Sequence, residues 1–351
     1  MMETLSLHLR KEPIPLPTES KDNRGWKKYG DNNLYPEFLY GLYRNSSILS
    51  SIINGFHDYI CGSGFEIEFD EETVMNRGGD NLLDIVKRCI SDYLVFGAFC
   101  LQSIKNSYGD IAEIYWIDVR KIRLGNEDNE RSIWYCKDWN NSRYKKVQYP
   151  KNDSIAPTSL WYFKRPTERE DYGTPIYHSA IKSILTDIEI SNYHYVEISN
   201  GFTPAALVSF HAGTPDEETK RKMQKAFEDK FTSTENAARI MLTFDDSKEN
   251  GVEVNKIAED NYDQRYLALA SSVMKNIYGT FRASPVLFGI QQENQGFNQT
   301  EYQAAYALFK KTVIEPLQYE IEKAFSKVGI EFSLKEFQVD FGTTTNEGGT
   351  L

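Results

Sequence analysis

The side chains able to act as bases, nucleophiles or metal ligands are scattered along this chain rather than spaced for a joint task. His8, His57, His178, His194 and His211 form no repeat. His178 and His194 fall in one helical stretch, but at about 100° per residue they end about 160° apart, on nearly opposite faces. Cys61, Cys89, Cys100 and Cys136 contain no C-x-x-C pair and have no histidine pair at metal spacing nearby, so no zinc site is expected. Their apolar neighbours, such as Phe99 and Leu101 around Cys100, mark them as small buried hydrophobes of a reducing compartment. Asp245-Asp246 and Asp118 are acids at turns or strand ends. A hydrolase needs two carboxylates converging in a cleft, and no spacing here selects a pair. There is no Gly-Lys pair and hence no phosphate loop, Gly62-x-Gly64 lacks a third glycine, and H-E-x-x-H and G-x-S-x-G are absent. The expectation is a protein without catalytic residues, metal or cofactor.

Composition narrows the class further. The 351 residues carry 40 Lys+Arg against 51 Asp+Glu, a net charge of −11. A chain that grips DNA through many phosphates is basic, so tight sequence-independent binding is excluded. Contact with nucleic acid is still open, provided it lets the polyanion pass. Aromatics reach 13%, including 22 tyrosines, which argues against disorder and for large half-buried contact surfaces. Trp26-Lys27-Lys28-Tyr29 reads as a surface turn and Arg143-Tyr144-Lys145-Lys146 as an exposed hairpin edge. Met1 to Arg10 lacks a signal-peptide core, and the apolar run Tyr93 to Leu101 is about half the roughly 20 residues of a membrane span. A soluble protein with no membrane partner is expected.

The elements follow from periodicity. Pro13, Pro15 and Pro17 predict an extended N-terminal arm. Apolar residues from Tyr35 to Ile60 recur at three and four, predicting two helices broken near Asn45-Ser46, and Phe65 to Phe69 alternates as a strand. Leu82 to Phe96 is a well-patterned helix. The period then changes to two. Strands are predicted at Phe99–Ile104, Ile111–Ile117, Ile122–Leu124, Ser132–Cys136, Lys145–Tyr149 and Ser159–Phe163, as one meandering antiparallel sheet. Thr174 caps a long helix with Pro175 at its first position, closed by Asn200-Gly201, with Tyr177, Ile181, Ile184, Ile188, Tyr195 and Ile198 in a stripe. A small β–α–β unit follows: strand Ala205–Phe210, an acid-capped helix from Asp216, and strand Arg239–Phe244. A second long helix spans about Asn261 to Phe281, with Leu267, Ala270, Met274, Ile277 and Phe281 on one face. After Pro285 comes a loop rich in Gln and Asn, then a helix capped by Thr300 and bent or broken at Pro316. The fold class is α+β.

Four stretches resemble the tailed-bacteriophage portal protein family, of the PBSX/HK97-like type. They are Tyr29-Gly30-Asp31-Asn32-Asn33-Leu34-Tyr35-Pro36 with Ile52-Ile53-Asn54-Gly55; Tyr172-Gly173-Thr174-Pro175 leading to Asn200-Gly201-Phe202-Thr203-Pro204; Phe281 to Gly289 around Ser284-Pro285; and Asn298-Gln299-Thr300-Glu301 through Glu315-Pro316-Leu317. Their order and spacing carry the likeness over about residues 25 to 325. Ala283-Ser284 departs from a frequent Val-Pro pair, and the C-terminus is too short for a large helical crown.

The resemblance implies a portal-like fold: arm 1–24, wing 25–173, stem helix 174–201, clip 202–260, stem helix 261–281, second wing part 282–328 and a short tail 329–351. The implied DNA-facing tunnel loop is Gln291, Gln292, Glu293, Asn294, Gln295, Phe297 and Asn298. The implied docking face is Asp216, Glu217, Glu218, Lys220 and Lys222 on the clip. The resemblance also implies a ring of probably twelve copies at one capsid vertex, a passive conduit for double-stranded DNA. Implied partners are the terminase large subunit, the capsid or scaffolding protein and head-tail adaptor proteins, in the virion and, during assembly, the host cytoplasm. Two other classes stay open: a hydrolase using a tyrosine-rich binding sheet, and a virion ring or baseplate component without DNA passage.

Overall fold

The three-and-four spacing after Tyr35 becomes α1 (Tyr35–Asn45) and α2 (Ser47–Cys61), parted where expected. Ser46 makes the break, its hydroxyl accepting the Leu49 N–H at 3.1 Å as the cap of α2. In α3 (Leu82–Phe96) the Asn81 side chain accepts the Asp84 N–H at 2.8 Å. Gly97 ends α3 in the left-handed region, φ 73°. The structure is a computed structural model describing residues 14–15, 19–21, 25–66, 74–166, 169–199, 206–210, 216, 218–219, 221–222, 240–244, 252–256, 262–290 and 299–337. It divides into two compact units, one built on Leu185–Met274 and the other on Pro15–Ile184 with Lys275–Leu351.

In the larger unit, β1 (Glu19–Lys21) pairs antiparallel with β2 (Lys27–Tyr29), so part of the expected arm is a hairpin strand. Lys27 to Tyr29 is not the surface turn expected. Trp26 and Tyr29 are buried, Trp26 between the rings of Trp134 and Trp139 at 5.4 and 5.3 Å. β3 (Ala98–Lys105) runs between β4 (Ile111–Ile117) and β8 (Thr158–Lys164), antiparallel to both. A second antiparallel sheet holds β5 (Ile122–Leu124), β6 (Ser132–Tyr135) and β7 (Val147–Pro150). The single meander expected is thus two sheets. The break lies at Asp118, which accepts the Arg120 N–H at 2.9 Å and turns the chain through a 3₁₀ turn, Val119–Lys121. Of the strand expected over 65–69, Phe65 makes a lone bridge to Leu334, and 67–69 lie outside the described residues.

Helix α3 packs on β3, and α1 and α2 pack on α3. One tight point of this core is where Gly97 and Gly173 meet. A Cβ on Gly173 would stand 2.6 Å from the Ala98 Cβ and the Gly97 carbonyl, and one on Gly97 would overlap the Thr174 backbone. Tyrosines fasten this contact. The Tyr29 hydroxyl donates to the Gly173 carbonyl at 2.6 Å, the Gly173 N–H donates to the Tyr162 hydroxyl at 2.9 Å, and Tyr172 stacks on Tyr29 at 4.0 Å. Tyr177 is fully buried, its hydroxyl on the Val95 carbonyl at 2.7 Å. These rings are core, not a binding surface: each buries its apolar body while its hydroxyl satisfies a backbone group.

That contact also corrects the start of the first long helix. Pro175 is extended, at ψ 155°, and the Thr174 backbone before it lies against Gly97. A 3₁₀ turn, Ile176–Ala180, then leads into α4 (Ile181–Ser199). In the smaller unit, β9 (Ala206–Phe210) is central, with β10 (Ile240–Phe244) parallel and β11 (Val252–Lys256) antiparallel to it. The parallel pair matches the expected β–α–β unit, and β11 is an addition to it. The second long helix is α5 (Tyr262–Phe281), and the last segment is α6 (Gln299–Phe309) followed by α7 (Glu315–Val328). The nine residues after α7 are packed rather than a tail, with Ile330, Phe332 and Leu334 buried.

Gly173→Ala puts one methyl group into a contact with no room for it. It should lower unfolding stability by about 1–3 kcal/mol, read as a lower urea midpoint at unchanged m-value. An unchanged midpoint would show that the Gly97–Gly173 approach is not tight.

Candidate functional site

The segments flanking residues 291–298 are held on α2. On the entry side, α5 ends at Phe281, Arg282 takes a left-handed φ of 53°, and the Ala283 N–H returns to the Tyr278 carbonyl at 3.2 Å. Pro285 opens a 3₁₀ turn, Pro285–Phe288, that Gly289 closes. The turn sets Phe288 into an aromatic cluster. Its ring lies 5.9 Å from Phe56, 6.0 Å from Tyr59, 5.6 Å from Tyr278 and 6.3 Å from Phe309. Room for it exists because position 55 is glycine: a Cβ there would meet Phe288 Cε1 at 2.5 Å.

Tyr59 joins the two sides. Its hydroxyl donates to the Leu287 carbonyl at 2.7 Å, ahead of residues 291–298, and contacts the Tyr302 hydroxyl at 3.2 Å, after them. The Tyr306, Phe309 and Phe337 rings stand 5.7, 5.7 and 5.0 Å from it. Burial, with the Tyr302 hydroxyl beside it, raises the Tyr59 pKa well above the ordinary tyrosine range. The hydroxyl therefore stays a donor at any physiological pH. Leu287 and Tyr302, on the two sides of 291–298, thus meet one residue of α2.

Behind the loop, the chain stays helical through Pro316, where a bend or break is expected. A π turn, Lys310–Ile314, sits just upstream, so the wider register absorbs the carbonyl that proline would otherwise clash with. Thr300 lies within the first turn of α6, which starts at Gln299.

The long helices show a gradient of cover. On α4, Ile181 and Ile184 are buried while Tyr195 is 73% exposed. On α5, Ile277 and Phe281 are buried while Leu267 is 72% exposed and Leu269 is also exposed. Within the smaller unit, Tyr193 stacks on Tyr266 at 5.1 Å, so the two helices touch each other there and still leave apolar residues in water. Stripes read as packing faces are therefore only half covered within one chain.

Gln291, Gln292, Glu293, Asn294, Gln295, Phe297 and Asn298 lie outside the described residues, as do Glu217, Lys220 and Asp245-Asp246. Asp216, Glu218 and Lys222 are exposed. Asp216 accepts the Thr219 N–H at 2.8 Å, and hydrogen bonds from Thr219 hold its carboxyl below the usual range. Lys222 pairs with Glu218 at 2.8 Å, one helical turn apart. Asp118, the remaining candidate acid, is buried and committed to Arg120, whose Nη2 lies 2.7 Å from Oδ2. Among the described residues, no group of three or more His, Cys, Asp or Glu could hold a metal ion, and no helix is long and apolar enough to cross a membrane. Sequence reasoning missed the contacts of Gly55 and Tyr59. Gly55 stood in a quoted motif, but what it makes room for lies more than 200 residues away.

The sequence matches a family model described as phage portal protein over residues 80–345. No curated protein matches significantly. The fold is similar to chains in three solved gene transfer agent (GTA) particles. For the virion of the native particle, the TM-score is 0.55 at 15% identity, covering 85% of this chain and 83% of that one. For the neck of the empty particle, computed with C6 symmetry, the values are 0.54, 16%, 88% and 85%. For the neck of the native particle, computed with C12 symmetry, they are 0.52, 16%, 86% and 84%. At these identities the likeness is one of fold.

Tyr59→Phe removes the donor to the buried Leu287 carbonyl and should cost about 1–3 kcal/mol. It should also speed amide exchange at 286–290 and 299–303 together, measured by hydrogen exchange with mass spectrometry. Faster exchange on one side alone would contradict a shared anchor.

Proposed function

The chain belongs to the phage portal protein family, and from that premise we propose that it forms a ring at one vertex of a phage or phage-like capsid. Double-stranded DNA passes through the ring during packaging and ejection. It is a passive conduit and docking platform, without catalytic residues. The observation that carries the ring is the half-covered pair α4 and α5, whose Tyr195 and Leu267 need a neighbour. A head-to-tail contact of each copy with the next closes into a ring when the rotation fits. The C12 symmetry used for one similar neck supports twelve copies.

In this reading residues 25–173 and 282–328 make the wing, 174–201 and 261–281 the stem and 202–260 the clip. Residues 291–298 form the inner rim, held in register by the anchor on Tyr59. Their Gln and Asn side chains offer hydrogen bonds without cationic charge, and the net −11 of the chain disfavours phosphate capture. A wall that neutralised many phosphates would release counterions, bind tightly and stall the DNA. The clip face of Asp216, Glu217, Glu218, Lys220 and Lys222 takes the terminase large subunit first and head-tail adaptor proteins afterwards, while the wing meets the capsid or scaffolding protein. The protein assembles in the host cytoplasm and resides in the virion.

Tyr195→Glu with Leu267→Glu should convert the ring to the 40.5 kDa monomer in sedimentation velocity, with far-UV circular dichroism unchanged. Rings that persist would refute the stem contact. Reversing Asp216, Glu218 and Lys222 together should leave the ring intact and abolish co-sedimentation with terminase. Undiminished co-sedimentation would remove the clip from the docking account.

A further inference from the structure

Away from the stem and loop, a cleft of about 210 Å³ opens between the start of α1 and the turn after β6, with Arg123 in its floor and Trp139 in its wall. It is a basic spot on an acidic protein: Arg120, Lys121, Arg123 and Lys137 line it against Glu37, Asp118 and Asp138. Most of the negative charge is already used. Arg120 holds Asp118 through Nε at 3.1 Å and Nη2 at 2.7 Å, and reaches Glu37 at 3.5 Å. The Asp138 Oδ1 accepts the Asn140 N–H at 2.8 Å.

Arg123 is the anomaly. It is 1% exposed, yet among the described residues no carboxylate lies within ion-pair distance of it. Its N–H groups go to neutral acceptors: Asn33 Oδ1 and carbonyl at 2.6 Å each, the Arg120 carbonyl at 3.0 Å and the Ile122 carbonyl at 2.6 Å. That uses four of five donors and leaves one on Nη2. The Trp139 ring lies 4.8 Å from the guanidinium, and the Trp139 Nε1 is itself buried without an acceptor. Burial without a counter-charge lowers the Arg123 pKa to about 10. A buried cation held only by neutral groups is costly. Lys121, half-buried at the mouth, makes no ion pair among the described residues.

We infer that this cleft receives a single oxyanion, a carboxylate or a phosphate group, which supplies the charge and acceptor that the Arg123 guanidinium and the Trp139 Nε1 lack. The volume is below the roughly 300–1,000 Å³ of drug-sized sites, which suits one such group rather than a larger ligand. The inference does not depend on the ring. The full-length protein is titrated with sodium phosphate and, separately, N-acetylglutamate, against sodium chloride of equal ionic strength, following thermal unfolding and heat of binding. Saturable stabilisation above chloride by either anion is expected, and the tighter arm identifies the source, free phosphate or an acidic side chain. Lys121→Gln and Trp139→Phe, each checked by circular dichroism, should both weaken it at least tenfold. No saturable effect from either anion, or wild-type affinity in both variants, would overturn the assignment.

Discussion

A glycine on one helix makes room for a phenylalanine more than 200 residues later, and the segments on either side of residues 291–298 pack around that allowance. With no Cβ at Gly55, Phe288 packs into the cluster of Phe56, Tyr59, Tyr278 and Phe309. Phe281 joins through Phe56 at 5.3 Å, so the end of α5, the 3₁₀ turn and the end of α6 share one packed core. Protein interiors are packed like crystals, and such a cluster resists displacement of any one ring. Tyr59 adds direction to that packing by bonding the segments on both sides of 291–298.

The second constraint is what one copy leaves uncovered. The helices α4 and α5 are buried at Ile184 and Ile277 and bare where Tyr195 and Leu267 lie. Isolated exposed apolar residues are ordinary, but two on a facing pair of long helices leave an incomplete packing unit.

Much of this was legible in the residues because it is periodic. The helices over 35–61 and 82–96 and the strands at 111–117 and 122–124 stand where the spacing put them. Strand β11 was missed although Val252 and Val254 alternate with polar neighbours, because two apolar residues are a weak signal. The division into two sheets turned on a single Asp118 side-chain bond, and the passage through Pro316 on a π turn, neither of which periodicity can reveal. Tyr29, Tyr162, Tyr172 and Tyr177 are core rather than contact surface. Composition shows that a ring is amphipathic, but only tertiary structure shows that its hydroxyl ends on Gly173 or Val95. The anchor at Gly55 and Tyr59 was invisible for the same reason, since both ends of it are long-range contacts.

Cryo-electron microscopy of the assembled full-length protein tests the central claim most directly. The account predicts a closed ring in which residues 291–298 line the channel, fixed on Tyr59 from both sides, and in which Tyr195 and Leu267 are buried against the adjacent copy. A ring whose channel is lined by other segments, or a protein that stays monomeric at micromolar concentration, would contradict it.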